Sequence, residues 1–374
     1  MKSILLASTA VIALAGAAAA EVSFGGSATL GFNSNSTSGN DGFYWDAGIS
    51  VTLSQTLDNG LTASATFDLS AFSTSIANSM TATSSAISAV ISVPHTHSVA
   101  LIGNNIAASG LVLSLVAENA GLYFGDTGMA AGKHWASAGD MENDGFSATD
   151  GDTVLRGDMA VAGWDASVSY ILDTGTGDLA QLSVGASGAF GSVNVAVAYQ
   201  AEETVYTNAS GDWNAANVFG LSVGTSFSGA DVTFAYVSNV TAGDNSIGIK
   251  VAYPVGPVTL TGYFVSESAG ADNWGINAAY ANGPIAVALD FQNDQGTELW
   301  SLQGSYDVGN GLVVYAGLDD NGDDYYVGGA YDLGGGASLL VSYADDSDGD
   351  EGGDDDIGAN DYQVGTTVEV SFAF

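Results

Sequence analysis

The chain has no cysteine, four prolines and only four basic residues among 374, namely Lys2, Lys133, Arg156 and Lys250. Without cysteine there is no disulfide framework and no thiolate metal site. So little proline, with 46% hydrophobic residues, argues for a folded chain rather than a disordered linker. A surface this poor in base excludes a nucleic-acid partner, because phosphate contacts need lysine and arginine. Beyond residue 20 nothing approaches 18 consecutive apolar residues, so no membrane helix is available. There are three histidines and no G-x-S-x-G. A nucleophile with its base and orienting group therefore cannot be assembled, and the chain reads as no enzyme. Its glycine-rich turns lack the lysine of a phosphate-binding loop.

What is there begins with a leader. MKSILLASTAVIALAGAAAA carries Lys2, an apolar run from Ile4 to Leu14 and small residues closing at Ala20. This is the pattern of a secretory signal peptide cleaved before Glu21. The mature chain is then 354 residues, the 374 less the leader's 20. Acidic residues number 42 and the net charge is −38. Self-repulsion on that scale needs counter-ions, which suits a saline or divalent-rich setting.

Strict alternation recurs along the mature chain. At residues 362–374, Tyr362, Val364, Thr366, Val368, Val370, Phe372 and Phe374 fall on one face, and small polar residues on the other. EVSFGGSATLGFN (21–33), VNVAVAYQ (193–200) and PIAVALDFQN (284–293) alternate likewise. A period of two over this length predicts strands. Tight turns separate some of them: Asp58-Asn59-Gly60, Phe190-Gly191-Ser192, Ser228-Gly229-Ala230, Asn282-Gly283-Pro284, Asn310-Gly311 and Gly334-Gly335-Gly336. Longer acidic connectors separate others, at 201–216, 267–273, 319–324 and 345–361. Short turns at one end and long loops at the other predict an all-β transmembrane antiparallel β-barrel in a Gram-negative outer membrane, with the turns periplasmic and the acidic loops external. In lipid every amide must be paired, so the sheet closes on itself and the last strand meets residues 21–33. Tyr362 and Phe374 are expected in the two aromatic girdles. Phe43-Tyr44-Trp45, Trp164, Tyr199, Tyr280, Tyr325-Tyr326 and Tyr331 read as interfacial belt residues, with a sugar-stacking slide as the alternative. Residues 69–117 carry no Asp, Glu, Lys or Arg, and AISAVISV (86–93) fits an extra strand or a long loop. Counting every tight turn gives about nine, hence up to twenty strands, while length suits sixteen to eighteen.

The start EVSFGGSATLGF, the segment GLYFGDTG (121–128), the run YDLGGGASLLVSYADD (331–346) and the final VEVSFAF resemble the general-diffusion porins of Rhodobacter and related alphaproteobacteria. The resemblance implies a sixteen-stranded barrel over 21–374 (eighteen possible), a homotrimer, and a third external loop folded into the lumen as a constriction, here about 126–153. That loop would supply Asp126, Asp140, Glu142, Asp144, Asp150 and Asp152, with Lys133 and His134 as its cations and Arg156 on the wall. The family's arginine cluster has no counterpart elsewhere.

The acidic stretches 318–325 and 345–361 place oxygen donors where a hard cation could bind loosely: Asp319, Asp320, Asp323 and Asp324, then Asp348, Asp350, Asp354, Asp355 and Asp356. Solvated acidic loops are the plainer reading, and Ca²⁺ or Mg²⁺ bridging to lipopolysaccharide an intermediate one. No other cofactor is expected. His95 and His97 share a strand face but lack a third ligand. The reading is passive diffusion of small hydrophilic solutes and ions, with cation preference. A substrate-specific channel and a secreted, acidic, calcium-dependent surface protein are the rivals.

Overall fold

The computed structural model describes residues 20–34, 42–75, 107–148, 152–173, 175–204, 213–346, 357–358, 360 and 362–374. Residues 1–19, which hold most of the expected leader, the 86–93 segment, His95 and His97 lie outside the described residues.

Twenty strands form one sheet. The first five are β1 (Glu21–Asn33), β2 (Gly42–Thr56), β3 (Thr62–Ser75), β4 (Ala107–Ala117) and β5 (Ala120–Gly125). After a long connection come β6 (Val154–Val161), β7 (Trp164–Leu172), β8 (Leu179–Phe190), β9 (Val193–Gln200) and β10 (Val218–Phe227). The third quarter is β11 (Ala230–Asn239), β12 (Asp244–Val255), β13 (Val258–Glu267), β14 (Asn273–Asn282) and β15 (Ile285–Asp294). The last is β16 (Thr297–Gly309), β17 (Leu312–Asp319), β18 (Asp324–Gly334), β19 (Ala337–Asp345) and β20 (Gly365–Ala373). Each strand pairs antiparallel with its neighbours in sequence. β20 pairs with β1, Leu30 facing Val370 and Ala28 facing Phe372, so the barrel closes. The Gly26 and Phe374 backbones exchange two more bonds, at 2.8 and 3.3 Å.

Twenty strands correct the expectation of sixteen or eighteen. The tight turns point to the larger number, and chain length with the family resemblance points to the smaller. Several connections on the loop side are as short as the turns: two residues join β15 to β16 and four join β11 to β12. Length that a sixteen-stranded barrel would place in loops is here in the wall. At about 4.8 Å between strands and a tilt near 40°, twenty strands span roughly 40 Å and sixteen roughly 32 Å.

The turns follow from their residues. At Asn310-Gly311, φ is 55° and 87°, the left-handed pair of a two-residue hairpin that Asn-Gly adopts most readily. Along each strand one parity is apolar and faces outward: Phe24 and Leu30 on β1 stay 57% and 54% exposed, and Ile247 and Ile276 are both 56% exposed. The other parity is small or polar and faces the lumen, as Gln181, Ser183 and Gly185 do on β8. A soluble acidic surface protein is incompatible with this outward apolar band.

Three belt assignments are corrected. Tyr44 lies on the inward parity between Phe43 and Trp45, and its hydroxyl donates to Glu369 Oε2 at 2.7 Å. Tyr326 faces inward while Tyr325 faces out. Tyr362 precedes β20 and is 3% exposed, packed with Tyr326, Ile357 and Ala344 inside the barrel rather than in a girdle. Alternation holds only while the chain is a strand, and at 362 it is not one.

Candidate functional site

Residues 126–153 connect β5 to β6, and the described part, 126–148, runs along the inner wall. Their first anchor is a single helical turn, α1 (Ala130–His134), which has no side-chain cap of its own. Wall serines supply the acceptors instead. The Ala130 N–H donates to Ser169 Oγ at 2.8 Å and the Ala131 N–H to Ser183 Oγ at 2.7 Å. Asp126, at the loop's entry, donates its N–H to Leu111 O.

Two cations and one carboxylate follow. Lys133 Nζ lies 2.6 Å from Asp158 Oδ2, and Arg156 Nε lies 3.1 Å from Asp158 Oδ1. Arg156 Nη1 also donates to Gly128 O at 2.6 Å, and its guanidinium sits 4.9 Å from the Tyr123 ring centre. His134 is bracketed by hydroxyls, Nδ1 at 2.8 Å from Ser187 Oγ and Nε2 at 2.8 Å from Ser167 Oγ. Burial, then the neighbouring Lys133 charge, holds its pKa below 6.5.

The middle of the loop is apolar. Ala138 and Met141 pack on Val218, Val237 and Val265, with Trp135 and Phe146 beside them. Trp135 Nε1 donates to Asp144 at 3.2 Å. The tip is acidic and sits against acid. Glu267 Oε1 accepts the Glu142 N–H at 3.2 Å and Glu267 Oε2 the Asn143 side chain at 3.0 Å. Asn273 Nδ2 donates to Glu142 Oε1 at 2.9 Å and to the Asp140 carbonyl at 3.2 Å. Burial, then neighbouring carboxylates, raises the Asp140 pKa, with Asp294 the strongest of those carboxylates. Burial raises that of Asp144 against the Trp135 bond. On the way back, Ser147 donates from Oγ to Gln181 Oε1 and from N to Gln200 Oε1, at 2.8 and 2.7 Å. Both glutamine amides reach Asn214 O, which ties a second external connection to the first.

Of the candidate residues, Lys133, His134 and Arg156 meet around Asp158, and Asp140, Glu142 and Asp144 gather at the tip. Asp126 stands apart at the entry, Asp152 is buried near β6, and Asp150 lies outside the described residues. In the turn after β17, the Asp319 carboxylate accepts the Asp320 N–H at 3.1 Å and Asp324 is buried. Asp319, Asp320, Asp323 and Asp324 do not converge. Among the described residues, the acidic group whose oxygens lie within 4.8 Å of one another is Asp140, Glu142 and Asp294. Asp348, Asp350, Asp354, Asp355 and Asp356 lie outside the described residues.

The residues that hold the loop (Ser169, Ser183, Gln181, Gln200, Glu267 and Asn273) carry one sequence signal, the inward parity of their strands. The carboxylate that joins both cations, Asp158, lies two residues beyond Arg156 on that same parity.

The Gram-negative porin family matches residues 7–352. Solved structures of similar form include mutants of Rh. blastica porin. One is 14% identical with a TM-score of 0.47, over 76% of this chain and 98% of that one. A triple mutant of the Rhodopseudomonas blastica protein is 12% identical with a TM-score of 0.43, over 94% and 100%. No curated protein matches the chain. With a closed barrel, an outward apolar band and a family match over nearly its whole length, the chain belongs to the Gram-negative porins, the water-filled diffusion channels of the outer membrane.

Proposed function

We propose that residues 126–153 form the constriction of this porin and that the channel prefers cations. The observation that carries the reading is the pairing around Asp158. Lys133 and Arg156 share that one carboxylate, which cancels one of their two charges. Asp126, Asp140 and Glu142 on the loop, and Asp46, Asp290 and Glu369 on the wall, face the lumen with only Lys250 added to the basic side. Fixed carboxylates enrich cations over anions in a narrow aqueous path. The protomer is read as one third of a homotrimer, with residues 1–20 removed on export and 21–374 forming the barrel. The external acidic loops bind Ca²⁺ or Mg²⁺ loosely, between the barrel and lipopolysaccharide.

The test is a planar bilayer under a salt gradient. Conductance steps in triplets with a cation-favouring reversal potential are expected. An anion-favouring potential refutes the charge reading, single steps refute the trimer, and saturable block by one solute points to a substrate-specific channel.

A further inference from the structure

We propose that Gly185, Gly220 and Gly248 set the stand-off between loop and wall, and so the bore of the channel. This rests on the reading of residues 126–153 as the constriction. The three lie on the inward faces of β8, β10 and β12, and each is buried. None has a positive φ, so the backbone does not require glycine at any of them. Space does. A Cβ on Gly185 would strike the Ala130 carbonyl oxygen and stand 2.7 Å from His134 Cδ2. One on Gly220 would strike the Trp135 ring, with Cε3 at 2.6 Å. One on Gly248 would stand 2.6 Å from the Ala138 carbonyl oxygen.

Small residues flank these points. Ala198 on β9 faces both Gly185 and Gly220, and Ala235 on β11 faces Gly248. Those alanines are 0% and 4% exposed. The loop therefore crosses from β8 to β12, about 19 Å at 4.8 Å per strand, with its backbone where side chains would otherwise stand. At two of the three glycines the obstacle is a carbonyl, which cannot turn aside as a flexible side chain can. Ordinary contact begins at 3.4 Å, so a methyl on Gly248 moves the Ala138 carbonyl by 3.4 − 2.6 = 0.8 Å. The wall lies on one side, so the movement is toward the channel axis. The bore is thus fixed by what the wall lacks, and the loop's own length does not determine it.

The experiment is single-channel conductance of wild type, Gly248→Ala and Gly248→Val, each checked as a folded barrel by heat-modifiable electrophoretic mobility. Conductance should fall from glycine to alanine to valine. Gly185→Ala replaces Gly248→Ala if that variant is not recovered folded. Gly224→Ala, on the same face of β10 as Gly220 but with its nearest atoms at 3.9 Å, should conduct as wild type. Trp135→Leu should restore conductance to Gly220→Ala, which a general loss of stability would not allow. Unchanged or increased conductance in folded Gly248→Ala and Gly185→Ala overturns the proposal. Deleting residues 136–144 separates the two readings. If that deletion leaves conductance unchanged, the constriction itself is wrong. If it raises conductance while the glycine variants match wild type, only the seat is wrong.

Discussion

Replacing Ser169 and Ser183 with alanine tests how the inner loop is held. Both serines are 0% exposed, and their hydroxyls accept the Ala130 and Ala131 amides at 2.8 and 2.7 Å. Alanine leaves room but no acceptor, so each substitution strands a buried N–H at a cost of about 1–3 kcal/mol. Taking about 2 kcal/mol, one substitution shifts the docked-to-undocked ratio roughly 30-fold. The double variant should shift it further, though less than the product, because the two sites share one helical turn. Single-channel recording reads this as open-channel noise and brief closures, rising from wild type to either single variant to the double. Limited proteolysis within 126–153 should rise in the same order. Ser226→Ala is the control: its hydroxyl bonds Asp231, far from the loop, and noise should stay at the wild-type level. If the double variant records and resists protease as wild type does, the wall hydroxyls do not hold the loop.

Asp158→Asn leaves Lys133 and Arg156 without their shared carboxylate, so the reversal potential under a salt gradient should move toward anions and the detergent melting temperature should fall, by about 2 kcal/mol of stability. The loop should also show two opposed pH responses. His134 is held below 6.5 by burial, so docking of α1 is at full strength above 6.5 and weakens as pH falls through the lowered pKa. Asp140 and Asp144 are raised above 3.8 by burial, so the tip is disfavoured at neutral pH and docks more firmly as pH falls through the raised values toward 3.8. Lowering the pH from neutral to about 4 should add open-channel noise through His134 and remove it through Asp140 and Asp144. In His134→Gln the rise should vanish and the fall remain, and a rise persisting there would contradict the assignment. Tyr44→Phe frees Glu369 of its 2.7 Å donor and should cost about 1 kcal/mol of stability while leaving cation preference intact or greater, as melting and reversal potential would show.

Much of the barrel was legible from alternation and turn chemistry alone. Val368, Val370 and Phe372 face outward as their spacing requires, and every quoted tight turn is a hairpin. The strand number was legible only as an upper bound. About nine turns imply twenty strands, but chain length and the family resemblance pull toward sixteen, because loop length cannot be told from wall length without knowing where strands end. The three misplaced tyrosines have two causes. Tyr44 and Tyr326 have inward parity, and reading each as part of an aromatic cluster overrode the period of two. Tyr362 sits where the strand period no longer applies. The loop's meeting with Asp158 and Glu267 is tertiary, joining residues up to 125 positions apart. Serine, glutamine and glycine on a wet inner face look alike whether they meet water or backbone, so the anchors gave no signal of their own.

The sharing of Asp158 by Lys133 and Arg156 has a consequence for how current depends on salt. A lumen with many acids and one unpaired lysine must draw its neutralising charge from dissolved ions. In about 0.1 M salt the screening length is about 10 Å, shorter than the barrel's radius of roughly 20 Å, and the axis carries bath electrolyte. In about 0.01 M salt it is about 30 Å, and the whole cross-section lies within reach of the wall. The mobile cations inside are then counted out by carboxylates and no longer by the bath. Conductance on dilution should level off where bulk conductivity keeps falling, so the protein supplies its own charge carriers in fresh water.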